Sequence, residues 1–202
     1  MSVPSVSIFA LTNTCIVDLK EAQENIRCFL TSWAACARGQ FLPKRVSPNS
    51  PLVYIDVPLK FLLARPADPK FKCQNDDSAD GASDAITRIY FSYQDDPSQV
   101  ECTAFDNFVR YGSSLNVGKT IVLVPSESGE GWKSLAKKLV DTLSLDCIGI
   151  IAIAYSDSFK RVRVETSDSS ELPKYSLIHA NAAMSYRVDI YDQLARIVRF
   201  IL

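Results

Sequence analysis

The feature that most constrains this chain's fold is the apolar run at residues 147–155: Cys147, Ile148, Gly149, Ile150, Ile151, Ala152, Ile153, Ala154 and Tyr155. It shows no alternation of polar and apolar residues. A strand with one wet face alternates with a period of two, so a run without alternation reads as a central strand buried on both faces. Such a strand needs cover on both sides, and helices packed on a largely parallel sheet supply it.

The flanking segments fit that architecture. Residues 119–124 read as a strand. A helix follows from about residue 131, with Trp132, Leu135, Ala136, Leu139, Val140 and Leu143 at helical spacing. Upstream, residues 5–11 form a short apolar strand. Asp18 caps a helix with Glu21 in capping-box position, and Leu19, Ala22, Ile26, Phe29, Leu30, Trp33 and Ala37 make its buried stripe. Residues 52–63 read as a strand. Pro58 lies inside it and cannot donate to a ladder, so an edge position or a bend is predicted.

Residues 86–93 form a further strand. A helix then starts at Pro97 and Ser98, with Glu101 completing a second capping box and Val100, Ala104, Phe105, Phe108 and Val109 on its apolar face. Residues 159–165 alternate, with Val162 and Val164 on one face and Arg161, Arg163 and Glu165 on the other. A turn at 156–158 predicts pairing with the strand before it. Residues 175–180 read as another strand. The last helix covers about 186–201, with Val188, Tyr191, Leu194, Ala195, Ile197, Val198 and Ile201 inward.

These segments predict one α/β domain over residues 1–202: a mixed β-sheet with helices packed on it, in two or three layers. Residues 65–84 hold Pro66, Pro69, Gly81 and five aspartates with few apolar groups, and read as a flexible acidic insertion. A chain of 202 residues buries a core without disulfides or metal.

Charge and targeting narrow the function classes. The chain has 22 basic and 23 acidic residues and a net charge of −1, without a basic stripe. Nucleic acid and anionic membrane surfaces are therefore not the expected partners. The N-terminal apolar run is short and lacks a basic flank, and no stretch is long enough for a transmembrane helix. The expected location is the cytoplasm, the nucleus or both. There Cys15, Cys28, Cys36, Cys73, Cys102 and Cys147 are free thiols.

Six sets of residues invite a chemical reading. Gly112-Ser-Ser-Leu-Asn-Val-Gly118-Lys119-Thr120 resembles a phosphate loop. Its glycines, however, are separated by five residues where the motif has four, and a strand follows where a helix is needed. It reads as a turn before a strand. Gly129-Glu130-Gly131-Trp132-Lys133-Ser134 lies between a strand and a helix, as a dinucleotide fingerprint does. Ser134 stands in place of the third glycine, residues 125–128 lengthen the loop, and Glu130 would repel a pyrophosphate. It reads as a glycine-rich connection, with a degenerate nucleotide-binding domain as the alternative.

His179 is the single histidine, the one available imidazole base, and its apolar neighbours Ile178, Ala180 and Ala182 make it a half-buried structural residue. There is no Cys-x-x-Cys, and Cys28 and Cys36 lie eight residues apart, so no zinc site is predicted. Asp76–Asp77 and Asp95–Asp96 read as solvated turn residues. Lys133, Lys137, Lys138, Arg161 and Arg163 read as a solvated face, with a patch for an acidic partner as the sharper option. No catalytic, cofactor-binding or metal-binding residue is assigned, and no enzymatic activity is expected.

Gly118 through Val124 (Gly-Lys-Thr-Ile-Val-Leu-Val), the helix after it, Ile150 through Asp157 (Ile-Ile-Ala-Ile-Ala-Tyr-Ser-Asp) and Lys160 through Val164 (Lys-Arg-Val-Arg-Val) together resemble proteasome assembly chaperones of the first-subunit type. The resemblance implies a non-catalytic chaperone that pairs with a second chaperone and docks on proteasome α subunits. Members of that family commonly end in hydrophobic-Tyr-any. This chain ends Phe200-Ile201-Leu202, with Ile201 in the tyrosine's place, and its tail reads as the end of a packed helix.

Overall fold

The computed structural model describes residues 4–11, 44–59, 85–92, 104–126, 131–155, 163–167, 170–180, 196–198 and 200–202. Eight strands form one sheet: β1 (Val6–Ala10), β2 (Lys44–Arg45), β3 (Leu52–Pro58), β4 (Ile86–Ser92), β5 (Lys119–Ser126), β6 (Cys147–Tyr155), β7 (Arg163–Thr166) and β8 (Lys174–Ala180). Two helices are α1 (Ala104–Tyr111) and α2 (Gly131–Leu143), and residues 196–198 and 200–201 are helical.

The strand order is β2-β3-β4-β1-β5-β6-β8-β7. Five neighbouring strands, β4, β1, β5, β6 and β8, run parallel. Antiparallel β3 and β2 extend the sheet past β4, and antiparallel β7 extends it past β8. The fold is thus α/β, with a mixed sheet and helices packed on it.

The central strands carry side chains into two separate cores, as the unalternated run at 147–155 requires. Ile151 and Ile153 join Ile8, Ile89, Ile121 and Ile178 on one face, beneath Ile197, Val198 and Ile201. Ile150 and Ala152 join Phe9, Tyr90, Val122 and Val124 on the other, beneath Phe108 of α1 and Trp132, Ala136 and Leu139 of α2. Each fully buried isoleucine contributes about 1.5–3 kcal/mol relative to an exposed one. That favours strongly a sheet covered on both sides over one left wet. The apolar spacing predicted for α2 and for the end of the last helix matches the buried residues observed.

Two expectations change. Residues 163–166 pair with β8, not with the strand before them, because β8 takes the free edge of β6 in parallel along seven residue pairs. The physical reason lies in composition. β8 (Lys-Tyr-Ser-Leu-Ile-His-Ala) can be buried against β6, whereas Arg-Val-Glu-Thr carries charges suited to the rim of the sheet. The strand read over 52–63 ends at Pro58. It is next to the edge, and β2 faces it only at Val53 and Tyr54, so the described neighbour asks for no donor from Pro58. The pair Lys44–Arg45 is that short edge strand.

The helix predicted from Asp18, the start of the helix at Pro97 and Ser98, the insertion at 65–84 and the first part of the last helix lie outside the described residues. Among the described residues, no helix is long and apolar enough to cross a membrane.

Candidate functional site

The loop at Gly112–Gly118 leads into the amino end of β5, so it is a turn before a strand. A 3-10 turn at Gly112–Ser114 is followed by extended chain. Its glycines are explained by packing. A Cβ on Gly118 would lie 2.1 Å from the Pro4 carbonyl oxygen, so only glycine lets this chain pass the lead into β1. A Cβ on Gly112 would meet the Leu143 side chain at 2.7 Å. The polar groups of the segment are also used inside the fold. Gly118 N–H donates to Ser7 Oγ at 3.3 Å, Thr120 Oγ1 donates to the Gly118 carbonyl at 3.1 Å, and the Tyr90 hydroxyl donates to the Asn116 carbonyl at 3.3 Å.

The second glycine segment occupies a different place. Among the parallel strands, chain order reverses between β1 and β5: β4 lies to one side of β1, and β5, β6 and β8 follow on the other. In open α/β sheets such a reversal opens a crevice at the carboxyl ends of the strands, where ligands commonly bind. The connection from β5 into α2 leaves from this point. Gly129 and Glu130 lie outside the described residues, while Gly131 and Trp132 begin α2. Gly131 faces open space, because a Cβ there would meet nothing within 4 Å. Ser134 is exposed, so no close helix-to-strand approach calls for a glycine at that position.

His179 is half-buried on β8, as its apolar neighbours predict. Its Nε2 lies 3.2 Å from Glu165 Oε1 across the β7–β8 pair. Arg163 is its direct register partner.

The basic residues of α2 have partners within the molecule. Lys133 Nζ lies 5.5 Å from the centre of the Trp132 ring and 5.4 Å from that of Tyr175. Lys138 Nζ lies 5.3 Å from the Phe105 ring centre, and Lys137 pairs with Asp141 one turn on, at 3.4 Å. These contacts describe a solvated face whose cations rest on the helix's own surroundings. Arg161, Asp76–Asp77 and Asp95–Asp96 lie outside the described residues.

Cys147 is a free thiol at the start of β6. Burial pushes it up to about 11, against the opposing effect of a hydrogen bond with the Gly149 backbone. A thiol so placed is protonated at neutral pH and a poor nucleophile. The other cysteines lie outside the described residues. Among the described residues, no group of three or more His, Cys, Asp or Glu side chains is arranged to hold a metal.

Sequence reasoning missed a buried ion pair. Arg88 on β4 stands opposite Asp56 on β3. Its Nε and Nη2 donate to the two carboxylate oxygens at 2.6 and 2.9 Å, and its guanidinium lies 4.4 Å from the Tyr54 ring centre. The Arg88 side chain is 6% exposed and that of Asp56 24%. The carboxylate holds the guanidinium above the usual arginine range, against the opposing effect of burial. One signal was present: a charge of each sign, Arg88 and Asp56, inside otherwise apolar strands. Their cross-strand pairing depends on a register that the sequence leaves open.

The described large apolar side chains that remain exposed are Leu172 (78%), Phe200 (44%) and Leu202 (42%). Lys174 Nζ donates to the Phe200 carbonyl at 2.9 Å and lies 4.6 Å from the Phe200 ring centre. Leu172 precedes Lys174 by two residues, at the end of the connection between β7 and β8, and Leu202 follows Phe200 by two. Phe200 therefore lies beside Lys174 at the amino end of β8. Between Phe200 and Leu202, Ile201 points the other way, into the core.

Comparison with protein-family models, with curated proteins and with solved structures finds no match for this chain.

Proposed function

We propose that this chain is a non-catalytic protein-binding subunit that acts in assembly or scaffolding. Its setting is proteasome assembly, with a second chaperone and proteasome α subunits as partners, in the cytoplasm or nucleus. The observation that carries the binding reading is the exposure of three large apolar side chains, Leu172, Phe200 and Leu202. An interface leaves apolar side chains exposed in the free subunit. The resemblance across residues 118–164 supplies the proteasomal setting. The test is co-purification of tagged protein with mass spectrometry, comparing wild type with Leu172→Glu/Leu202→Glu. A stable partner lost in the variant supports the reading, and no stable partner for wild type overturns it.

A second reading is favoured by one specific observation: the connection carrying Gly129–Gly131 leaves β5 at the point where strand order reverses. There the chain would be a degenerate nucleotide-binding domain. Isothermal titration with ATP, GTP and NAD decides this reading, and absence of heat with all three disposes of it.

A further inference from the structure

We draw no further inference here: the strongest candidate, the exposed apolar side chains Leu172, Phe200 and Leu202 at the surface, belongs to the reading already proposed, and nothing in the structure shows what covers them.

Discussion

Ile201 packs on Gly149, where β6 has no side chain: a Cβ built on that glycine would lie 2.7 Å from both Ile201 Cδ1 and Ile201 Cγ2. The glycine thus makes room for the end of the last helix to sit on the sheet. The helix end closes one core with Ile197, Val198 and Ile201, while its other side carries Phe200 and Leu202 to the surface. Core and candidate interface are opposite sides of the same few residues.

Gly149→Ala is expected to destabilise the fold by about 1–3 kcal/mol, the usual cost of overpacking a filled core. Ile201→Ala is expected to cost about 2–5 kcal/mol through loss of buried methyls and the cavity left behind. The two changes are coupled, since shortening Ile201 makes room for the new methyl. Urea denaturation of both single variants and the double variant measures this, and strict additivity would show that the contact does not matter.

Asp56→Ala is expected to cost about 3–5 kcal/mol, because it leaves the Arg88 charge buried without its carboxylate. Exposure of Asp56 draws the value toward the lower end. Arg88→Met/Asp56→Leu is expected to recover most of that loss. Denaturant midpoints of wild type, single variant and double variant check both statements.

How much of this was legible beforehand follows from what each residue depends on. The two-sided burial of 147–155 needs only the absence of alternation, and the inward residues of α2 need only helical spacing, so both were readable. The partner of residues 163–166 was not: a short turn favours the preceding strand, and only the competition between β7 and β8 for the edge of β6 decides otherwise. Arg88 and Asp56 lie 32 residues apart, and nothing local announces their meeting. For the candidate site, the failure of Gly112–Gly118 as a phosphate loop was visible in its spacing. The exposure of Phe200 and Leu202 beside the buried Ile201 was not visible, because the three are alike in hydrophobicity and only packing separates inward from outward.

The two glycine segments make opposite predictions. Gly118→Ala forces a methyl against the Pro4 carbonyl at 2.1 Å and is expected to destabilise by several kcal/mol or prevent folding. Gly131→Ala meets open space and is expected to leave stability unchanged or raise it by about 0.4–1 kcal/mol, through a less flexible unfolded chain. Thermal denaturation of the two variants compares them, and equal losses would remove the packing explanation for Gly118.

Stability is expected to decline in alkali. Cys147 is raised from 9.0 to about 11 in the folded protein, so the unfolded chain releases this proton first. The contribution is fully present below pH 9.0 and is lost as pH rises through about 11. Tyr90, raised above 10.0 by burial, acts in the same direction once pH passes that value. Denaturant midpoints measured across this window are expected to fall for wild type and to fall less for Cys147→Ala. An equal fall in both would remove Cys147 as a contributor.

The central claim, binding of protein through the exposed apolar side chains, is tested most directly by quantitative co-purification of tagged wild type and Leu172→Glu/Leu202→Glu. Leu172 is largely exposed and Leu202 partly so in the free chain, and the variant is expected to keep its fold, within about 0.5 kcal/mol per substitution. Each leucine buried on binding contributes about 1.5 kcal/mol or more, so the variant is expected to lose at least about tenfold in retained partner. Wild type without a stable partner, or a folded variant that retains its partner as wild type does, would contradict the account.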